Sequence, residues 1–147
     1  MKHIFKGKKV GPVRRFEFIG EHNSNNIVIG NHGDARFLAR GNFNLSGILF
    51  CLHDAVEFRV HGHGKIRLAG KCKTLNIKSA SGDCVLDFTG VKSDIVTCES
   101  ISDNVTVLLG ETKKIDSVTL SDHATLKLLS PTFIGACSLN KEARIIL

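Results

Sequence analysis

Gly70, Gly90, Gly110 and Ser130 each close a short apolar strand, in IRLAG, LDFTG, TVLLG and LKLLS, and they recur at a constant interval of twenty residues. His63, Asp83, Asp103 and His123 keep the same interval on the opposite side, in the turns GHGK, SGDC, SDNV and SDHA. Self-similarity at a fixed period of this length marks stacked repeats. An antiparallel sandwich has no reason to reuse one turn chemistry at constant spacing. A solenoid does, because each coil lies ~4.8 Å above the last and like residues fall over like. The beat therefore predicts an all-β chain folded as a parallel β-solenoid with coils of about twenty residues. It is expected to be right-handed, by the general bias on parallel crossovers. Glycine at 70, 90 and 110 would mark a corner with positive φ or with no room for a Cβ. The Ser-Gly-Asp and Ser-Asp-Asn turns would form the other corner, their side chains bonding local amides.

Alternation within each coil assigns the inward residues. One strand gives Leu75/Ile77, Val96/Cys98, Val118/Leu120 and Cys137/Leu139. The other gives Ile66/Leu68, Leu86/Phe88, Val105/Val107, Leu126/Leu128 and Ile145/Leu147. Read backwards, the series continues through Phe58/Val60, Ile48/Phe50, Phe37/Ala39, Ile27/Ile29 and Phe16/Phe18, about fourteen short strands in all. The apolar mass is Ile, Leu, Val and nine Phe with no Trp or Tyr, a composition that favours pleated strands.

At 147 residues the chain is long enough for one domain with a core and too short for two. Its net charge of +6 is concentrated at one end: Lys2, Lys6, Lys8, Lys9, Arg14 and Arg15 all precede the first acid, Glu17. The domain reading is thus a basic N-terminal arm at 1–15, suited to an anionic membrane surface, followed by a single solenoid at 16–147. The arm lacks the continuous apolar run of a secretory signal, so a cytoplasmic location is expected. Five cysteines, an odd number without a C-x-x-C pair, fit a reducing compartment, and Cys84, Cys98 and Cys137 are expected in the core.

The stretch VHGHGKIRLAGKCKTLNIKSASGDCVLDFTGVKSDIVTCESISDNVTVLLG resembles the repeats of the autotransporter adhesin head GIN domain. Ser81-Gly82-Asp83 matches that family's turn outright; HGHGK at 61–65, SDN at 102–104 and SDH at 121–123 match it loosely. The resemblance covers roughly residues 56–147. It implies a β-helical domain, usually exported to the cell envelope, with no established enzymatic role. A fainter similarity is to bactofilins, cytosolic β-helices that polymerise end to end.

No nucleophile elbow, P-loop or dinucleotide fingerprint is present, so no catalytic residue and no cofactor is expected. A metal site at the histidines is disfavoured, because His63 and His123 would lie three coils, or ~14 Å, apart. Asp83, Asp103, Asp122 and Glu142 recur near one edge and are expected to cap their own turns. Arg59, His61, His63, Lys65, Arg67 and Lys78 form a basic stretch that predicts a cationic surface for an anionic glycan. Arg67 is expected over Asp87 and Lys78 over Glu99. Nucleic acid is not expected, for want of interleaved aromatics. Val28, Leu38 and Leu49 fall at outward positions of strands that are apolar on both faces, so those coils need a cover, either the N-terminal arm folding back or, the reading adopted, a homo-oligomer joined there. The expected function is a non-catalytic scaffold or binding module, with a bactofilin-like polymer as the alternative and a β-helix polysaccharide lyase or hydrolase a distant third.

Overall fold

The computed structural model describes residues 7–10, 13–30 and 33–147. Its regular structure is entirely β: β1 (Lys8–Val10), β2 (Val13–Ile29), β3 (Ala35–Ile101), β4 (Thr106–Leu109), β5 (Thr112–Leu120), β6 (Thr125–Leu128), β7 (Phe133–Leu139) and β8 (Arg144–Ile146). Apart from the antiparallel β1–β2 pair, the pairs between these strands are parallel. The chain winds into a β-solenoid of about 7 turns. The coil length is not quite constant. Thr106 lies over Val85, Thr125 over Thr106 and Arg144 over Thr125, steps of 21, 19 and 19 residues.

One corner explains why β3 runs for 67 residues without a break. Gly20, Gly41, Gly62 and Gly82 occupy it in successive coils, at φ between 96° and 145°. A Cβ on Gly41 would collide with the carbonyl oxygen of Gly20, one on Gly62 with that of Gly41, and one on Gly82 with that of Gly62. Glycine lets the chain bend there while its backbone stays in the ladder. From the fifth coil the same corner is made differently. Asp103, Asp122 and Lys141 sit at φ 57°, 58° and 58°. Hydrogen-bonded β-turns now close it, with N–H of Val105, Ala124 and Ala143 donating to C=O of Ser102, Ser121 and Asn140 at 3.4, 3.1 and 3.2 Å. These turns end β3 and separate β5 from β6 and β7 from β8. The expected fourteen short strands therefore appear as eight elements, because the glycine corners at 20, 41, 62 and 82 do not interrupt the ladder.

The interior is filled as alternation requires over most of the chain. Phe16, Phe37 and Phe58 follow one another up the stack, with Phe88 beyond, at ring separations of 6.2, 5.2 and 5.0 Å. In the second coil the phase is the reverse of the expected one. Leu49 and Cys51 are buried, whereas Ile48 and Phe50 face outward. Gly47 takes the inward position before them, against the backbone of Ile27. With no side chain there, the run Ile48–Leu52 is equally apolar in either phase. In the coil of β7 and β8, Cys137, Leu139 and Leu147 are exposed, contrary to expectation, since no further coil covers them in this structure. At the other end the sheet extends before residue 16, with Lys8 paired to Arg15 and Val10 to Val13. Residues 1–6, 11 and 12 of the expected arm lie outside the described residues.

Candidate functional site

The acidic residues at the turning corner fall into two staggered columns. In the inner column the Asp103 carboxylate accepts the N–H of Gly82 at 2.9 Å, and the Asp122 carboxylate accepts the N–H of Asp103 at 3.1 Å. Lys141 completes it by donating from Nζ to Asp122 at 2.9 Å. Each aspartate thus satisfies the coil below it, whereas the sequence suggested that it would cap its own turn. In the outer column Glu142 meets His123 at 2.6 Å. His63 and Asp83 line the same open depression with Asp103, Asn104, Asp122 and His123. Among the described residues no group of three or more His, Cys, Asp and Glu is placed to hold a metal.

Hydrogen bonds from Lys141 and from the Asp103 amide hold the Asp122 carboxyl below its ordinary 3.8, and the bond to Asp122 raises Lys141 above 10.5. The signs define a window. The contribution of Asp122 is present above its unfolded value and lost as pH falls through the lowered one; that of Lys141 is present below 10.5 and lost as pH rises through the raised one. The expected outcome is an Asp103 amide resonance that titrates with a midpoint below 3.8. In Asp122→Asn that transition disappears, as an NMR pH series would show.

The six cationic residues singled out by the sequence do not form one surface. Arg59, His61 and Lys78 lie on strands that precede the turning corner, Lys65 and Arg67 follow it, and His63 stands at it. Three are neutralised locally: Arg59 by Glu57 at 3.3 Å, Arg67 by Asp87 at 3.8 Å and Lys78 by Glu99 at 3.1 Å. The last two pairs are the ones expected across rungs. His61 bonds the Ser81 and Ser79 hydroxyls at 2.7 and 3.1 Å. Burial, then Arg40 and Arg59, lower its pKa below 6.5, so it is neutral at physiological pH. Asp87 is pushed up by burial, but the Thr89 hydroxyl and amide, with Lys65 and Arg67, outweigh that and hold it below 3.8.

Arg59 instead joins Arg15, Arg36 and Arg40, which together line a depression over the first three coils with Glu17, Leu38 and Glu57. Sequence reasoning missed this group. Arg15 and Arg36 are directly opposed in adjacent rungs, 21 residues apart, and a search at twenty passes over them.

The apolar residues also regroup. Leu49 is fully buried and cannot join partners, which removes it from the expected interface. Leu38 pairs with Glu17 on one strand column, whereas Val28 pairs with Ile48 on another. The exposed apolar strip is Ile48, Phe50 and Leu52, at 44%, 46% and 49%. Burial, helped by nearby aspartates for Cys51 and Cys84, pushes those two thiols up to about 11; Cys72 and Cys98, raised chiefly by burial, reach about 12. None of the four is a nucleophile at neutral pH.

No protein-family model matches the chain, and comparison with curated proteins and with solved structures finds no match. The fold and the geometry of its surfaces define a β-solenoid repeat protein.

Proposed function

We propose that this chain is a non-catalytic β-solenoid module that assembles with copies of itself through the strip Ile48–Phe50–Leu52. That strip is the observation that carries the reading. Three large apolar side chains at alternate positions of one strand face outward, beside half-buried Val28. Contiguous exposed apolar surface of this kind marks association. Lys71 and Lys73 lie next to Leu52 and supply a polar rim. Support for a scaffold over an enzyme comes from Asp103, Asp122 and Glu142 at the corner, whose carboxylates are engaged with backbone amides, a lysine and a histidine.

Sedimentation velocity tests this. The wild-type chain is expected to run as a discrete oligomer and Phe50→Asp with Leu52→Asp as a monomer of unchanged circular dichroism. A wild-type chain that stays monomeric at high concentration would reject the strip as an interface.

A bactofilin-like, end-to-end assembly is the second reading, favoured by the coil of β7 and β8. Cys137 and Leu139 stand over buried Val118 and Leu120 but are themselves exposed. Uncovered strand edges and interior side chains invite another coil. Light scattering separates the two readings, since stacking gives particles that grow with concentration whereas the strip gives a fixed size.

A further inference from the structure

The geometry points to a binding site for an anionic glycan segment, bearing sulfate or phosphate groups, in the depression where Arg15, Arg36, Arg40 and Arg59 surround Leu38. Like charges directly opposite one another across a ladder destabilise a sheet. Yet Arg15 faces Arg36 in the adjacent rung, so two guanidinium groups occupy one row. One carboxylate serves that row: Glu57, 3.9 Å from Arg36 and already 3.3 Å from Arg59. Among the described residues Arg15 and Arg40 make no ion pair. Four arginines against two glutamates leave an excess of positive charge that an oxyanion would relieve.

The shape narrows the ligand. Arg36 and Arg40 are four residues apart on one strand, so the two cationic ends lie ~13 Å from each other at the usual rise. Half-buried Leu38 lies between them. A single phosphate cannot span that distance, whereas a sugar chain can place an oxyanion at each end and a ring over Leu38. Guanidinium forks suit sulfate and phosphate oxygens. Glu17 and Glu57 would repel a uniformly charged chain such as polyphosphate but would accept sugar hydroxyl donors. Phe16 and Phe37 beneath are 0% and 1% exposed and offer no ring face for a nucleobase. The site does not depend on the apolar strip, which lies on another strand column, so the Phe50/Leu52 variant should bind equally well.

Calorimetric titration of the full chain with a size-defined heparin-derived hexasaccharide tests the site. Binding is expected for the wild type. Arg15→Ala with Arg40→Ala should weaken it roughly tenfold or more, through loss of charge-assisted bonds, and Arg15→Lys with Arg40→Lys should fall between. Lys65→Ala with Arg67→Ala removes equal charge across the corner and should leave affinity within about twofold. Unchanged melting curves confirm that the variants are folded. Equal loss in both alanine pairs would reduce the effect to net charge and overturn the assignment. So would no binding by the wild type, equally tight binding of the desulfated hexasaccharide or inorganic tripolyphosphate, or a preference for phosphatidylserine vesicles.

Discussion

Gly62→Val is expected to destabilise the protein by about 3 kcal/mol or more, lowering its melting temperature by roughly 10 °C. Two costs coincide at this position. At φ 145° a β-branched residue is strained, and its Cβ would be driven into the carbonyl of Gly41 in the coil below. Neither cost can be relieved by rotating a side chain, since the obstacle is backbone held in the ladder. Moving the Gly62 backbone outward would break pairing with the neighbouring coils, and in a stack each coil is stabilised by its neighbours. Asp103, one coil above Gly82 at the same corner, should behave oppositely. Asp103→Gly loses the bond to the Gly82 N–H but removes a non-glycine residue from positive φ, so a change within about 1 kcal/mol is expected. Lys127→Val, on an exposed strand position, is the control for valine itself and should shift stability by about 0.5 kcal/mol or less. Thermal melts of the three variants decide the matter. A Gly62→Val protein that melts with the wild type would mean that the corner is not stacked glycine on glycine.

The solenoid was legible in the sequence because recurring turn chemistry reports coil length directly. What was lost is traceable to single residues. The beat through Asp83 and Asp103 is twenty residues, but in the structure Asp103 belongs over Gly82 and Asn104 bonds the Gly82 carbonyl. A drift of one position moved Asp83 out of the inner column and split what looked like one ladder of acids. The same drift concealed the opposition of Arg15 and Arg36. Gly47 erased the phase of the strand after it, so Leu49 and Ile48 exchanged roles and the expected apolar surface moved by one residue. Glycine was correctly expected at corners, yet the stacked positive-φ column is Gly20, Gly41, Gly62 and Gly82; Gly70 has positive φ, whereas Gly110 lacks it but has no room for a Cβ, which would meet the carbonyl oxygens of Thr89 and Val91. The exposure of Cys137 and Leu139 could not be read from alternation at all. Periodicity says which side of a strand faces the axis, and it is silent about whether another coil lies above.

Phe58→Ala should cost about 3–5 kcal/mol, the range for removing a fully buried aromatic. Phe58 is 0% exposed, with the Phe37 ring 5.2 Å away on one side and that of Phe88 5.0 Å on the other. It therefore bridges the Phe37 ring of the second coil and the Phe88 ring of the fourth, and the loss is larger than its transfer free energy alone. A ladder held at ~4.8 Å cannot collapse around the void, because the rungs are fixed by backbone pairing. Phe58→Leu refills most of the volume and should cost about 1.5 kcal/mol or less. Phe133→Ala, where the ring is 70% exposed, should be close to neutral, which separates burial from aromatic content. The position within the stack adds a second signature. Where stability is a sum of coils and their interfaces, weakening an interior interface uncouples the segments on either side. Denaturant unfolding of Phe58→Ala is then expected to broaden, with a lower m-value, while Phe133→Ala keeps the wild-type slope. A sharp transition at the wild-type midpoint would place Phe58 outside the core and undo the stacking of Phe37, Phe58 and Phe88 together.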